Sequence, residues 1–375
     1  MSKKPKPSVV SFCLCSGTLG NLAVSILLLI FVCGWAQAED GQQGALLICN
    51  GSKGEIILME PDGSNPRILV NLPAYYVAWS PDSQHIAFAG PDVFISEYDG
   101  SNLSNLTNQG ALCRDVCWSP DGSRIAFSSK MTGDWDVYVI GSDGQELVNL
   151  SSHPAEDRKP TWSPDGQQLA FDSKRDGQWD IYLVGADGGN LKNLTNHPAF
   201  DRYSAWSPVD SSQIAFITDR NGNDALYLID PKEQDPMLLY QHEAPGPDYM
   251  YPVWSPDGSQ ILLLLDLVMT STYVVEVASG AARRITGGHV DYGLQWSPDG
   301  QYIAFARQFF GPGLDEIKMA TNGVYIMRPD GTGLTCISSM SMRSTLDWGM
   351  PPSSHSTSVL PRLPTSWGQI KGGQR

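Results

Sequence analysis

The most conspicuous ionisable side chains in the sequence occur twice, 44 residues apart. Residues 153–158 read HPAEDR and residues 197–202 read HPAFDR, so each copy carries a histidine and an Asp-Arg pair. The repeated residues are His153, Asp157, Arg158, His197, Asp201 and Arg202. Asp248 and Asp291 stand at similar distances before later tryptophans. If successive repeats surround one axis, these carboxylates form an acidic ring, which would attract a cation, a basic ligand or a partner segment. The alternative is structural: the Asp and Arg side chains pair between neighbouring repeats, and the histidines cap their loops.

The elements that position these residues are defined by a Trp-Ser-Pro repeat. It occurs at six tryptophans and a seventh tryptophan follows near the end of the chain, with a mean spacing of about 45 residues. The seven are Trp79, Trp118, Trp162, Trp206, Trp254, Trp296 and Trp348. We predict that these tryptophans pack between neighbouring repeats.

Each repeat predicts four short antiparallel strands. A strand ends at the tryptophan, Ser-Pro-Asp-Gly forms a turn, and a strand such as residues 124–127 (RIAF) returns. Residues 136–140 and 146–150 supply two more strands, separated by another Asp-Gly turn. Four strands in a unit of this length are typical of a β-propeller blade. The fold class is therefore all-β, and the inter-blade connections gather at the mouth of a central channel.

The repeat count favours seven blades. Six complete units begin near Tyr76, Asp115, Pro160, Ser204, Tyr251 and Gly293. Residues 45–72 add three strands without a tryptophan strand, and residues 344–348 add a tryptophan strand without partners. We expect these two parts to pair as the seventh blade, which closes the ring and leaves no open sheet edge. A six-bladed ring with leftover strands is the alternative.

The Trp-Ser-Pro-Asp-Gly motif, followed by Ile-Ala-Phe and Asp-Ile-Tyr, closely resembles the WD-like repeat of TolB-type β-propeller proteins. The resemblance covers about 300 residues, from Ala45 to Trp348. It implies binding of a partner protein or peptide at the channel mouth. TolB itself carries an α/β domain before its propeller. Here, about six residues separate the first strand from Ala38, after which we predict that a signal peptide is cleaved. The expected likeness is therefore to the propeller alone.

Composition and motifs restrict the function further. A net charge of −15 argues against nucleic-acid binding, and the chain contains no Gly-x-Ser-x-Gly, His-Glu-x-x-His or phosphate-binding glycine motif. We expect a non-enzymatic monomer that binds a protein or peptide, without a cofactor or metal. The enzymatic alternative is a metal-dependent propeller lyase that acts on pectin fragments. Such lyases use several histidines, and His153, His197, His242 and His289 fall in successive connections here.

The two ends of the chain have their own predictions. Residues 1–38 read as a signal peptide with a basic start, an apolar segment and Ala36-Gln37-Ala38 before the cleavage site, which predicts a periplasmic or secreted protein. An uncleaved membrane anchor is the alternative. Residues 349–375 read as a disordered tail rich in Pro, Ser and Gly. Cys113 and Cys117 are too far apart along an extended strand to form a disulfide.

Overall fold

A computed structural model describes residues 44–50, 53–233, 235–243, 248–266, 270–308, 322–339 and 344–350. The predicted signal peptide at residues 1–38 lies outside these residues, as does the predicted tail at residues 349–375 except for its first two residues. The tail prediction is wrong at Gly349, which ends a strand of the propeller. The described residues form 28 strands arranged in seven four-stranded sheets, and they contain no α-helix. Accordingly, this part of the chain has no helix that is both long and apolar enough to cross a membrane. The prediction of an all-β, seven-bladed propeller is confirmed.

Six blades consist of four consecutive strands each, with antiparallel pairing between neighbours. Blade 2 contains β4 (Tyr76–Trp79), β5 (His85–Ala89), β6 (Val93–Glu97) and β7 (Ser104–Asn105). Blade 3 contains β8 (Cys113–Trp118), β9 (Arg124–Ser129), β10 (Asp136–Gly141) and β11 (Val148–Asn149). Blade 4 contains β12 (Asp157–Trp162), β13 (Gln168–Ser173), β14 (Asp180–Gly185) and β15 (Lys192–Asn193).

The remaining consecutive blades follow the same order. Blade 5 contains β16 (Asp201–Trp206), β17 (Ile214–Thr218), β18 (Ala225–Ile229) and β19 (Met237–Tyr240). Blade 6 contains β20 (Asp248–Trp254), β21 (Gln260–Asp266), β22 (Thr270–Glu276) and β23 (Ala282–Arg284). Blade 7 contains β24 (Val290–Trp296), β25 (Ile303–Gln308), β26 (Gly323–Met327) and β27 (Thr335–Ser338). Several inner strands begin two or three residues earlier than the sequence predicted, and the outer strands are shorter.

Blade 1 closes the ring with strands from both ends of the described chain. Its order is β28 (Ser344–Gly349), β1 (Ala45–Asn50), β2 (Glu55–Met59) and β3 (Arg67–Asn71). Leu46 lies opposite Trp348 in the β1–β28 pair. The Asp347 carboxylate also accepts the backbone N–H of Trp79 at 2.7 Å, which links β28 to blade 2. The six-bladed alternative is therefore wrong.

The tryptophans pack between blades as predicted. The Trp118 indole N–H donates to the Ala78 carbonyl of the preceding blade at 3.2 Å, and Trp254 and Trp296 make the same bond to Ala205 and Val253. Trp118 is buried in a cluster with residues of blades 2 and 3. Each hydrophobic cluster among the described residues is likewise shared by two neighbouring sheets, so the blades stabilise one another.

The Ser-Pro-Asp-Gly turns hold their own aspartates. In the turn between β8 and β9, Asp121 accepts the Ser119 hydroxyl at 2.6 Å and the Ser123 N–H at 3.0 Å. Gly122 has a φ of 71°, which glycine adopts without strain. These bonds hold the Asp121 carboxylate within its own turn. The four cysteines of the described part, Cys49, Cys113, Cys117 and Cys336, form no disulfide.

Candidate site at the channel mouth

A β-bulge recurs in the inner strands and determines which side chains face the channel mouth. The pairing register shifts within β8, β12, β16, β20 and β24, between the residue four before and the residue one before each tryptophan. The residue three before the tryptophan has positive φ in all five strands: Asp115, Lys159, Tyr203, Tyr251 and Gly293. A bulge of this kind redirects the side chain relative to a regular strand. The same position in five of the repeats is thereby available to build a site.

A cavity of about 230 Å³ lies at this level, where the inner strands begin. Four aromatic residues, Tyr76, Trp179, Tyr203 and Tyr251, form part of its lining. The charged lining consists of Arg114, Arg158, Lys159, Arg202, Asp115 and Asp172. Among the described lining residues, cationic side chains therefore outnumber acidic ones by four to two. The predicted acidic mouth is not what these residues form.

Lys159 packs against two of these aromatic rings. Its ammonium nitrogen lies 3.8 Å from the Tyr203 ring centroid and 3.9 Å from that of Tyr251, and the two ring centroids are 4.7 Å apart. Cation–π attraction of this geometry holds a cation over a ring face. Burial nonetheless lowers the pKa of Lys159, because desolvation penalises its charged form.

Asp172 supports Lys159 from the adjacent strand β13. Burial raises the pKa of the Asp172 carboxyl to about 6, opposed by the attraction of Lys159 and by backbone hydrogen bonds. One of these is the Tyr203 N–H, which donates to Asp172 at 2.9 Å. Asp172 thus fixes the bulge that carries Tyr203 while it faces the Lys159 charge.

The three arginines differ in how they are neutralised. Arg158 pairs with Glu156 at 2.8 Å, and Arg202 pairs with Asp224 at 2.7 Å. The Arg114 guanidinium lies 5.1 Å from the Trp135 ring centroid. Within the described part of the chain, neither Arg114 nor Lys159 makes an ion pair at 4.0 Å or less. These two cations are the groups best placed to meet an incoming anion.

Three predicted site aspartates are fully buried in ion pairs. Asp157 pairs with Arg175 at 2.9 Å, Asp201 with Arg220 at 3.2 Å and Asp291 with Arg307 at 2.7 Å. In each case the arginine follows or ends the second strand of the same blade, so the pairing is within a blade and not between blades. Burial raises the pKa of Asp157 and of Asp201, although nearby hydroxyls and the arginine lower it. These carboxylates have no exposed surface that a partner could contact.

The predicted histidines cap their loops. The Ala155 N–H donates to the His153 ring at 3.1 Å, and the Ala199 N–H does the same to His197. Of Asp248 only the backbone is described, at the start of β20. No group of three or more His, Cys, Asp or Glu residues in the described segments is arranged to hold a metal ion. The structure therefore does not bring His153, His197, His242 and His289 together.

The central residues of the cavity were missed from the sequence. Lys159, Tyr203 and Tyr251 stand three residues before their tryptophans, where successive repeats differ most in chemistry. A comparison of the residues three before each tryptophan could therefore have identified them. The sequence instead indicated the position five residues before the tryptophan, where the repeated aspartates are buried by the fold.

The fold and cavity define a seven-bladed propeller with a polar channel mouth. The TolB beta propeller domain model matches residues 48–200 and 160–308, and the chain belongs to that family. Comparison with curated protein sequences gave no significant match.

Solved structures with the same fold include TolB proteins and enzymes. TolB from Acinetobacter baumannii is 18% identical, with 80% of this chain and 79% of that chain covered and a TM-score of 0.53. A puromycin-hydrolyzing peptidase from Mycobacterium tuberculosis is 15% identical, with 76% and 49% covered and a TM-score of 0.60. Oligogalacturonate lyase from Vibrio parahaemolyticus is 13% identical, with 78% and 86% covered and a TM-score of 0.58. At these identities the likeness shows the fold alone.

Proposed function

We propose that this chain is an exported, non-enzymatic propeller that binds a protein or peptide partner at its channel mouth. Membership of the TolB propeller family supports a binding role, and the signal-like segment at residues 1–38 supports a periplasmic or secreted location. The observation that carries the proposal is the cavity built around Lys159, Tyr203 and Tyr251. The protein acts as a monomer and needs no cofactor for this role.

The charge of the cavity favours an acidic partner segment. In the described residues, Arg114 and Lys159 line the cavity with no carboxylate within 4.0 Å. Asp172 and Asp115 attract Lys159 from a longer distance. Asp157, Asp201 and Asp291 are buried and unavailable to a ligand. A carboxylate that enters the mouth would gain charge-assisted hydrogen bonds in a partly desolvated site. The tyrosine rings offer flat apolar surface to the rest of the segment. The proposal therefore reverses the charge of the ligand that the sequence suggested.

Capture from an envelope or secreted fraction tests this role. The full protein should retain one defined partner, and Lys159→Gln or Arg114→Gln should each reduce the retained amount by tenfold or more. Lys232→Gln is the matched control because Lys232 is an exposed lysine in the turn between β18 and β19, and it should leave capture unchanged. Equal capture by all four proteins would place the partner site elsewhere.

An assay for lyase activity tests the enzymatic alternative. The protein is incubated with oligogalacturonate and Mn²⁺, and the unsaturated product is followed by ultraviolet absorbance. We expect no turnover, since the loop histidines already accept backbone hydrogen bonds. Turnover that is lost with chelator would replace the binding proposal with the lyase.

A further inference from the structure

A groove lies between blades 2 and 3, formed by turns that connect strands within these blades. It has a volume of about 540 Å³ and is lined by the Ser80–Asp82 turn, the Pro120–Gly122 turn and Asp143. Its apolar surface comes from Pro81, Pro120, Ile95 and the exposed 9% of Trp118. The turns that form it follow the inner-strand tryptophans, whereas the channel cavity lies where the inner strands begin.

The groove is acidic at neutral pH. Asp82, Asp121 and Asp143 are exposed, and no lysine or arginine belongs to its described lining. Hydrogen bonds from the Ser119 hydroxyl and from Ser123 hold the pKa of Asp121 at about 2. The Ser80 hydroxyl lowers the pKa of Asp82 in the same way. Asp121 and Asp82 are therefore charged over the whole physiological range and attract cationic groups.

The chain leaves the described fold beside this groove. The Met350 N–H donates to the Ser83 hydroxyl at 3.0 Å, and Ser83 directly follows the groove residue Asp82. Residues 351–375 carry three cations, Arg362, Lys371 and Arg375, and no acidic residue. The segment that follows Met350 therefore has the opposite charge to the groove next to which it begins.

One part of this segment has the chemistry that such a groove accepts. Residues 360–364 read Leu-Pro-Arg-Leu-Pro, with two prolines three apart and an arginine between them. Pro-x-x-Pro sequences favour the polyproline II conformation and dock in aromatic-lined grooves at low entropic cost. An arginine adds a fork of donors that can bind a carboxylate with two hydrogen bonds.

We propose that residues 360–364 bind in this groove as an intramolecular ligand. The prolines pack against Trp118 and the proline-lined walls, and the Arg362 guanidinium pairs with Asp121 and Asp143. Pro361 lies eleven positions after Met350, a span that reaches up to roughly 36 Å when extended. The tether is thus long enough to return to a groove whose edge it already touches. It also keeps the ligand at a high effective concentration.

A photo-crosslinker at position 363 of the full chain tests the proposal. Leu363 is replaced by p-benzoyl-phenylalanine, and the products are mapped by mass spectrometry after irradiation. We expect intramolecular cross-links to the peptides that contain residues 80–85 and 118–122. Arg362→Glu, and separately the pair Asp121→Asn with Asp143→Asn, should each reduce their yield at least fivefold.

A second groove provides the matched control. Asp257, Asp299 and Trp296 line a similar cavity of about 430 Å³ between blades 6 and 7, but Met350 has no described contact with it. Asp257→Asn with Asp299→Asn should therefore leave the cross-links unchanged. Cross-links to this second groove, cross-linked dimers, a yield insensitive to Asp121 and Asp143, or no cross-link would each overturn the proposal.

Discussion

The propeller places two sets of aspartates from the same repeat in opposite environments. Asp157, Asp201 and Asp291 begin or lie near the start of inner strands, where each is fully buried against an arginine. Asp121 and its equivalents follow Ser-Pro in exposed turns, where hydroxyl and backbone donors surround one carboxylate oxygen. Burial raises the pKa of Asp157 and of Asp201, whereas hydrogen bonding lowers that of Asp121.

The difference shows that a repeated carboxylate is not by itself a binding site. The arginine partners of the buried aspartates also contact aromatic rings. Arg220, which pairs with Asp201, has its guanidinium 5.3 Å from the Phe216 ring centroid and 5.0 Å from that of Tyr227. The arginine therefore connects the inner strand to the middle of the blade. The buried aspartates shape the channel mouth by holding its strands, while neighbouring positions present side chains to the cavity.

The largest expected effect comes from breaking one buried pair. Asp201→Ala removes the carboxylate and leaves Arg220, which is only 11% exposed, without its ion-pair partner. Loss of one member of a buried pair costs about 3–5 kcal/mol of unfolding free energy. Urea denaturation at neutral pH measures this loss.

A paired substitution distinguishes charge burial from packing. Asp201→Leu with Arg220→Met removes both charges and keeps apolar volume, so it should recover most of the lost stability. If the double variant is no more stable than Asp201→Ala, the arginine stabilises the blade mainly through its contacts with Phe216 and Tyr227.

The blade architecture was predictable because its cause is local. Trp-Ser-Pro-Asp-Gly contains a strand end and a turn in five residues, and the spacing of the tryptophans sets the blade size. Closure by β28 also followed, since three strands without an inner partner stood at one end and one inner strand at the other. The boundaries were less accurate, because bulged inner strands extend beyond the regular alternation of residues.

The repeat by itself did not show which of its positions faces the cavity. Lys159 and Tyr203 reach the cavity because their backbones adopt positive φ, a conformation that neither residue type favours. It depends on pairing with the second strand and on Asp172, whose carboxylate accepts the Tyr203 N–H. These contacts join residues that lie in different strands and different repeats. Asp157 and Asp201 were correctly placed near the start of inner strands. Their burial could not be predicted, because it depends on arginines 18 and 19 residues away.

An intermediate effect should appear in the pH dependence of the unfolding free energy, through Asp347 in the closing strand β28. Burial raises the pKa of Asp347 to about 6, against the N–H groups of Trp79 and Trp348 that stabilise its charged form. The folded chain therefore keeps this proton while the unfolded chain releases it between pH about 4 and about 6. The resulting contribution to stability is fully present below pH 4 and is lost as the pH rises through 6.

Asp347→Asn isolates this contribution. The amide oxygen can still accept the Trp79 N–H, and the variant carries no charge to desolvate. Relative to the original chain, its unfolding free energy should rise between pH 4 and pH 6 by an amount on the order of 2 kcal/mol, and then stay constant. Asp172 titrates in both proteins and cancels in the difference. A pH-independent difference would show that Asp347 is ionised throughout.

The smallest effect is expected in the exposed turns. Asp121→Ala removes the acceptor of the Ser119 hydroxyl and of the Ser123 N–H. Water can replace it at Ser123, and in the matching turn of blade 4 the Ser163 hydroxyl also lies 3.1 Å from the Gln168 carbonyl, which shows a second acceptor for the serine. We therefore expect a loss of about 1 kcal/mol or less in urea denaturation at neutral pH. A loss as large as that of Asp201→Ala would mean that the turn aspartates, although exposed, hold the blades together as strongly as the buried pairs do.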